Sequence, residues 1–344
     1  MARPPVLVVT NMWPGAADPS FGSFVAEQVS ALRAMGLPVA VCFIDGRAGR
    51  SNYLWGIHRI RRWLRRGLPA PQSGEPARPF ALVHAHYVLS GLAALLAGAR
   101  RPRRPLLVTH HGIEVFEGWQ ASLARLVSGL ADRSLVISPA MAAHLGLDAT
   151  AVLPCGIDLE RFRPRDRDAA CRELGLDAAR RRIVWVGADR PEKRLALARE
   201  AAALVAARRP DVDLHVVSGL PPTAVPAHLA AGDVLLVSST REGGPLVVKE
   251  ALAMQLPVVS TAVGDVAALL EGLPGCAVLG PAEERDLAAG LARALDQALG
   301  RRPGPMARER VRPYGQERIA ARLLEVYDGL VRGAAGQTKG EGEG

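Results

Sequence analysis

The sequence predicts an α/β fold made of two Rossmann-like halves, on three observations. Short apolar, β-branched runs alternate with stretches of helical periodicity, the pattern of parallel strands covered on both faces by helices. That pattern breaks at a charged, Pro-containing segment, residues 161–182, and then starts again. The loops that follow the strands carry Gly, Pro, His and Glu, and this is the edge where open parallel sheets bind ligands. A chain of 344 residues is long enough to bury two cores. Two βα-repeating halves joined by a linker imply two domains facing a cleft.

In the first half, residues 5–10 (Pro-Val-Leu-Val-Val-Thr) read as a buried strand. A Gly/Pro loop over 11–24 follows, then a helix over 25–35. The loop lacks G-x-G-x-x-G spacing, which argues against a dinucleotide fingerprint. Residues 39–44 are the next strand, and 68–79, rich in Pro and Gly, a surface loop. Residues 81–87 form a strand ending in His84 and His86, followed by a small-residue helix over 89–99. The strand at 106–109 runs into His110 and His111. A zinc site built from these four histidines lacks any supporting Cys or carboxylate spacing, so no metal site is predicted. Strands at 131–138 and 151–158, with a helix from Pro139 between them, complete this half.

The second half repeats the pattern, with strands at 182–187, 212–218, 234–237, 257–261 and 275–279. Helices are expected at 195–207, 226–231, 283–299 and 316–332, and one more after Pro245. The stretch Glu242-Gly243-Gly244-Pro245-Leu246-Val247-Val248-Lys249-Glu250 reads as a strand end, a tight Gly loop and a helix start. Backbone N–H groups at a helix N-terminus have no intrahelical partner and attract anions, and two glycines allow close approach. The two flanking carboxylates repel phosphate but accept hydroxyl hydrogen bonds well. The ligand predicted here therefore carries both phosphates and hydroxyls, as a nucleotide sugar does. With Pro245 at the first helical position, one N–H donor is removed at a place where proline fits.

Composition narrows the classes. The formal charge of +9 comes mostly from arginine. Residues 58–66 interleave arginines with Ile60, Trp63 and Leu64, and Arg100, Arg101, Arg103 and Arg104 form a second cluster. The first could lay an amphipathic helix on anionic lipid; the competing reading packs its apolar stripe on its own domain. Nucleic acid is not expected, because no binding motif accompanies the charge. No apolar stretch approaches the roughly 18 residues that span a bilayer, and no signal-peptide pattern opens the chain. A cytoplasmic protein is predicted, with peripheral contact on the inner membrane face left open. Cys42, Cys155, Cys171 and Cys276 show no C-x-x-C pairing and read as thiols rather than a disulfide frame.

Several of these stretches, taken in order, resemble the retaining family 4 glycosyltransferases of the GT-B fold. They are His84-Ala85-His86, Thr109-His110-His111-Gly112, and Leu153-Pro154-Cys155-Gly156-Ile157-Asp158 ahead of Phe162-Arg163-Pro164. Val186-Gly187 with Pro191-Glu192-Lys193 follows, and then the E-x7-E pair Glu242 and Glu250. The resemblance covers nearly the whole chain and implies an N-terminal acceptor domain (1–164) and a nucleotide-sugar domain (165–312). A helix over 313–333 would return to the first domain, and 334–344 would be a disordered tail.

By the same resemblance His111, Lys193 and Glu242 are catalytic: Glu242 binds hydroxyls of the donor sugar, Lys193 neutralises the leaving diphosphate, and His111 contacts the sugar near the reacting carbon. Glu250 holds the ribose, Gly243, Gly244, Leu246 and Val247 offer backbone N–H groups, and Gly22 with Ser23 passes close to phosphate and acceptor. Arg190, displaced from the family's arginine position by Ala188-Asp189, is counted among the donor-binding residues as reaching the phosphate from its shifted place, and Cys155 replaces the family's asparagine. The chain between Lys193 and Glu242 is short for the group, and the missing strand-and-loop unit commonly helps hold the base.

The implied reaction moves a sugar from a nucleotide diphosphate sugar to the hydroxyl of a glycan, lipid-linked or small-molecule acceptor, with retention, no cofactor and no metal. Two alternatives stand beside it: a GT-B-like nucleotide-sugar epimerase, and a non-catalytic nucleotide-sugar-binding subunit.

Overall fold

The apolar runs assemble into two five-stranded, all-parallel sheets in a computed structural model. It describes residues 3–49, 51–69, 76–101, 104–116, 118–280 and 286–340. Arg103, and parts of the expected 68–79 loop, 283–299 helix and C-terminal tail, lie outside the described residues.

Unit 1 takes the chain up to Pro14, Phe21–Gly156 and the residues from Glu317 onward. It holds β1 (Val6–Thr10), α1 (Ser23–Ala34), β2 (Val39–Phe43), α2 (Asn52–Arg66), β3 (Leu82–His86) and α3 (Val88–Leu96). β4 (Leu106–His110), α4 (Gly118–Leu130), β5 (Arg133–Val136) and α5 (Pro139–Leu145) follow. The strand order is β2-β1-β3-β4-β5. Thr10 lies opposite His86, and His86 opposite Thr109, so this register brings the histidine-tipped strand ends to one edge.

Unit 2 takes Gly15–Ser20 and Ile157–Gln316. It holds α6 (Arg167–Glu173), β6 (Arg181–Val186), α7 (Leu195–Ala206), β7 (Val212–Val217), α8 (Val225–Ala230) and β8 (Val234–Val237). α9 (Leu246–Ala253), β9 (Val258–Thr261), α10 (Val266–Leu270), β10 (Ala277–Leu279), α11 (Leu287–Ala298) and α12 (Pro305–Val311) complete it, in strand order β10-β9-β8-β6-β7. β6 and β8, separated along the chain by α7, β7 and α8, are therefore neighbours in the sheet.

The last helix, α13 (Gln316–Gly340), packs on unit 1. Its stripe of Ile319, Ala320, Leu323, Leu324 and Tyr327 is buried against Val6, Val8, Leu82 and Leu107. The Tyr327 hydroxyl lies 2.7 Å from Nδ1 of His84. Leu323 is 0% exposed, so Leu323→Ala should cost about 2–5 kcal/mol, read as a lower urea midpoint at unchanged m-value.

Local differences from the sequence expectations have physical causes. Residues 151–158 are not a strand: Val152 makes one isolated bridge to Val136, and Pro154, with no N–H to donate, follows closely. The charged segment 161–182 holds α6, whose Asp166 cap accepts from the N–H of Ala169 at 2.7 Å. α13 runs to Gly340 rather than ending near 333, its Ala334 and Ala335 being good helix formers. In α2, Ile60 is buried and Trp63 and Leu64 pack inward, so the apolar stripe among the arginines faces its own domain.

Candidate functional site

The unit 2 site starts from β6 and β8 lying side by side. Their C-terminal turns are stitched together by hydroxyls and backbone. Ser238 Oγ donates to the carbonyl of Lys193 (2.7 Å) and accepts from Trp185 Nε1 (3.1 Å). The N–H of Thr240 donates to the carbonyl of Glu192 at 2.8 Å. Arg194, with φ +50°, donates to the Ser238 and Ser239 carbonyls at 2.6 and 3.1 Å. These bonds deliver Lys193, on a 3-10 turn over Pro191–Lys193, to Glu242. Nζ lies 2.5 Å from Oε1 of Glu242, with side chains 17% and 16% exposed, and Ser239 Oγ donates to the same oxygen at 2.7 Å. An ion pair this shielded from water keeps much more of its attraction than a surface pair.

The loop after Glu242 leads into α9. Pro245 is the cap, with ψ 115°, rather than the first helical residue. This corrects the sequence expectation: no helical N–H is lost to proline, because Leu246 and Val247 open the helix themselves. Both are partly exposed, while Val248 and Lys249 are buried. Glu250 stands four residues after Leu246, on the same partly exposed face, and helical side chains lean toward the N-terminus. Gly243, Gly244, Leu246, Val247 and Glu250 thus gather around one helix start of positive potential. Arg190 is not brought in. Its side chain is 59% exposed and pairs with Glu192 at 3.2 Å.

The unit 1 cluster lies at the C-terminal edge of its sheet. His84 is flanked by Tyr327 and by Thr109 Oγ1, at 2.7 Å from Nε2. His86 Nδ1 lies 2.8 Å from His111 Nε2, and Cys155 Sγ lies 3.7 Å from His111 Nδ1, so both ring nitrogens of His111 have protein neighbours. Phe24 stacks obliquely on His111, with ring centroids 4.8 Å apart. Phe24 lies in the first turn of α1, two residues after its cap Gly22, whose φ is +70° and where a Cβ would sit 2.3 Å from the Met12 carbonyl carbon, so only glycine fits. The structure therefore joins the 22–24 turn to His111. Glu114 is buried and its Oε1 accepts from the N–H of His111 at 2.8 Å.

Burial sets the charge of this cluster. It pushes His84 down to about 3 and His110 to about 4. Burial first, and neighbouring histidines second, hold His86 and His111 well below the usual imidazole range. Burial also raises Glu114, against the pull of nearby backbone N–H groups. These imidazoles are neutral at pH 7 and can donate or accept hydrogen bonds without carrying charge.

Sequence reasoning missed Ser239 and the pair Ser238 and Arg194 that tie the two turns together. The serines had a signal, two hydroxyls at the end of the β8 run just ahead of Glu242; the arginine makes sense only once the strand order is known.

Comparison with known proteins agrees with this architecture. The structure resembles sucrose-phosphate synthase from Thermosynechococcus elongatus with a TM-score of 0.70 at 21% identity, over 95% of this chain and 99% of that one. It resembles Anabaena Alr3699/HepE, solved in complex with UDP-glucose, with a TM-score of 0.61 at 17% identity, over 94% and 99%. The fold is GT-B, and the protein is an enzyme of the glycosyltransferase class. A Glycosyltransferase Family 4 model matches residues 5–161, and a Glycosyl transferases group 1 model matches 219–297. D-inositol 3-phosphate glycosyltransferase from Geodermatophilus obscurus is 31% identical over 314 residues, covering 74% of this chain and 67% of that protein. The chain belongs to glycosyltransferase family 4.

Proposed function

We propose that this glycosyltransferase moves a sugar from a nucleotide diphosphate sugar to an acceptor hydroxyl on a glycan, lipid-linked or small molecule, with retention at the anomeric carbon. The observation that carries the reading is the Lys193–Glu242 pair beside the N-terminus of α9. A carboxylate there suits sugar hydroxyls, while an ammonium and the Leu246 and Val247 amides suit a diphosphate. The UDP-glucose bound by Anabaena Alr3699/HepE, which shares the fold, supports a ligand of this class.

In this reading unit 2 holds the donor: Glu242 on the sugar, Glu250 on the ribose, and Gly243 and Gly244 where the phosphates approach. Lys193 stabilises the charge that develops on the leaving diphosphate, so the donor supplies its own leaving group and the path calls for no resident cofactor. Retention through a covalent intermediate would need a carboxylate nucleophile. Glu114, beside the unit 1 histidines, is buried and engaged by backbone, which favours a same-face path in which the departing diphosphate takes the acceptor proton. His111 contributes a neutral imidazole, held by His86, and Gly22 the turn that seats Phe24 against it. Incubation with a panel of nucleotide sugars, followed by proton NMR of the first anomer formed, tests this. Retained configuration is expected; inversion, or interconversion of the nucleotide sugar alone, contradicts it.

One further feature favours contact with an anionic lipid surface. Leu54 and Trp55 on α2 are 71% and 67% exposed, beside the exposed Arg59, Arg62, Arg65 and Arg66. Among the described residues no helix is long and apolar enough to cross a membrane. Co-sedimentation with vesicles containing phosphatidylglycerol should fall with added salt and with Leu54→Ser/Trp55→Ser. Equal sedimentation of the variant and the parent protein would rule the surface out.

A further inference from the structure

We infer that Lys249 and Asp265 form a positioning pair that sets the geometry of the donor loop, an inference that rests on the donor reading of unit 2. Lys249 immediately precedes Glu250, yet it points into the core and is 2% exposed. Its Nζ lies 2.7 Å from Oδ2 of Asp265, which is 14% exposed, and 5.0 Å from the ring centroid of Tyr314. The remaining neighbours on that face of α9 are apolar: Val248, Ala251 and Leu252 are all 0% exposed. A buried ion pair is seldom more stabilising than apolar side chains of the same volume, so its presence here calls for another explanation.

The backbone around the pair supplies one. Gly264, directly before Asp265, has φ +53°, and a Cβ there would lie 3.2 Å from the Glu242 carbonyl oxygen and 3.3 Å from Gly244 Cα. The turn at Gly264 therefore rests on the donor loop. The loop leads into α9, α9 carries Lys249, Lys249 holds Asp265, and Asp265 holds Gly264 back against the loop. The loop, α9 and the turn form a closed ring with the ion pair as its clasp. Because Gly243, Gly244, Leu246 and Val247 lie within or next to that ring, opening the clasp frees the amides that are to meet the phosphates. Small displacements of such groups cost large factors in binding and rate.

The test compares the parent protein with the double variant Lys249→Met/Asp265→Asn, which removes both charges at similar volume. Two readouts are taken at matched thermal stability. Amide hydrogen exchange at Gly243, Gly244, Leu246 and Val247 should quicken at least tenfold in the variant. Calorimetric titration with UDP, GDP and ADP should show at least tenfold weaker binding of whichever nucleotide the parent protein takes. Exchange within twofold of the parent at equal melting temperature overturns the proposal. If the parent binds none of the three nucleotides, the donor reading fails, and exchange alone decides the pair. Should the double variant not fold, Asp265→Asn, which keeps the volume, carries the same comparison with the same outcomes.

Discussion

Lys193→Ala should lower sugar transfer by about 10²–10³-fold in kcat, the usual effect of removing one preorganised group that stabilises transition-state charge. The lysine is held for this task by bonds that survive its truncation: Ser238 grips the Lys193 carbonyl, and Thr240 grips Glu192. The turn should therefore keep its place when the side chain goes, and the loss should fall on kcat more than on KM. Glu242→Ala should behave differently. Its carboxylate receives Lys193 and Ser239 on one oxygen and meets donor hydroxyls in the proposed complex. Losing charge-assisted hydrogen bonds of about 1.5–3 kcal/mol corresponds to about 10–150-fold in kcat/KM. Because the two side chains touch, the double variant should lose less than the product of the single losses. Steady-state kinetics on the four proteins of this cycle provides the check, and strict multiplicativity would separate the two residues functionally.

The second large effect is on stability at mildly acid pH. Burial lowers His84, His86, His110 and His111 in the folded state. An unfolded histidine takes up a proton near pH 6.5, whereas His110 and His84 hold out in the fold until about 4 and about 3. Between these limits the unfolded chain binds more protons, so stability is full above about pH 6.5 and drains away as the pH falls. Each fully shifted group contributes a slope of about 1.4 kcal/mol per pH unit, so His84 and His110 together give about 3 kcal/mol per unit, and His86 and His111 act in the same direction. Over two pH units that rivals the whole stability of a typical domain, about 5–15 kcal/mol. Glu114, raised by burial, opposes this with the effect of one group only. Denaturant unfolding of the protein between pH 7 and pH 4 should show the fall, and His110→Gln should reduce the slope by about one proton. A flat profile to pH 4 would contradict the buried neutral cluster.

Much of the fold could be read from local sequence, for a reason visible in unit 1. Val6 to Val9 and Leu106 to Val108 are buried on both faces of a parallel sheet, so their runs are apolar without interruption. What could not be read was where charge disguised structure. α6 is capped by Asp166, but it lies among arginines that read as linker, and several of those arginines serve Asp233. Arg167 and Arg181 reach that buried carboxylate at 3.1 and 2.8 Å. α12 was hidden in the same way, since Arg308 spends its guanidinium on the carbonyls of Leu159, Phe162 and Ala253.

The site divides along the same line. Glu242, the glycines and Glu250 lie within one short stretch and announce themselves by spacing. Lys193 is 49 residues from Glu242 and joins it only because β6 and β8 are adjacent, a fact of strand order rather than of local pattern. Lys249 lies inside the motif, but its burial depends on the helical phase that starts after Pro245, and its partner Asp265 comes from the turn after β9. Arg190 was drawn toward the site by resemblance alone, and the backbone leaves it in solvent with Glu192.

The most direct test of the donor site is ligand-induced stabilisation. At 100 times its dissociation constant a nucleotide sugar should add about 2.7 kcal/mol to the unfolding free energy. We expect one nucleotide diphosphate sugar from a panel to raise the unfolding midpoint of the parent protein, with the gain largely lost in Glu242→Ala and in Glu250→Ala. Stabilisation of equal size in all three proteins would place the ligand elsewhere and contradict the assignment of these two glutamates.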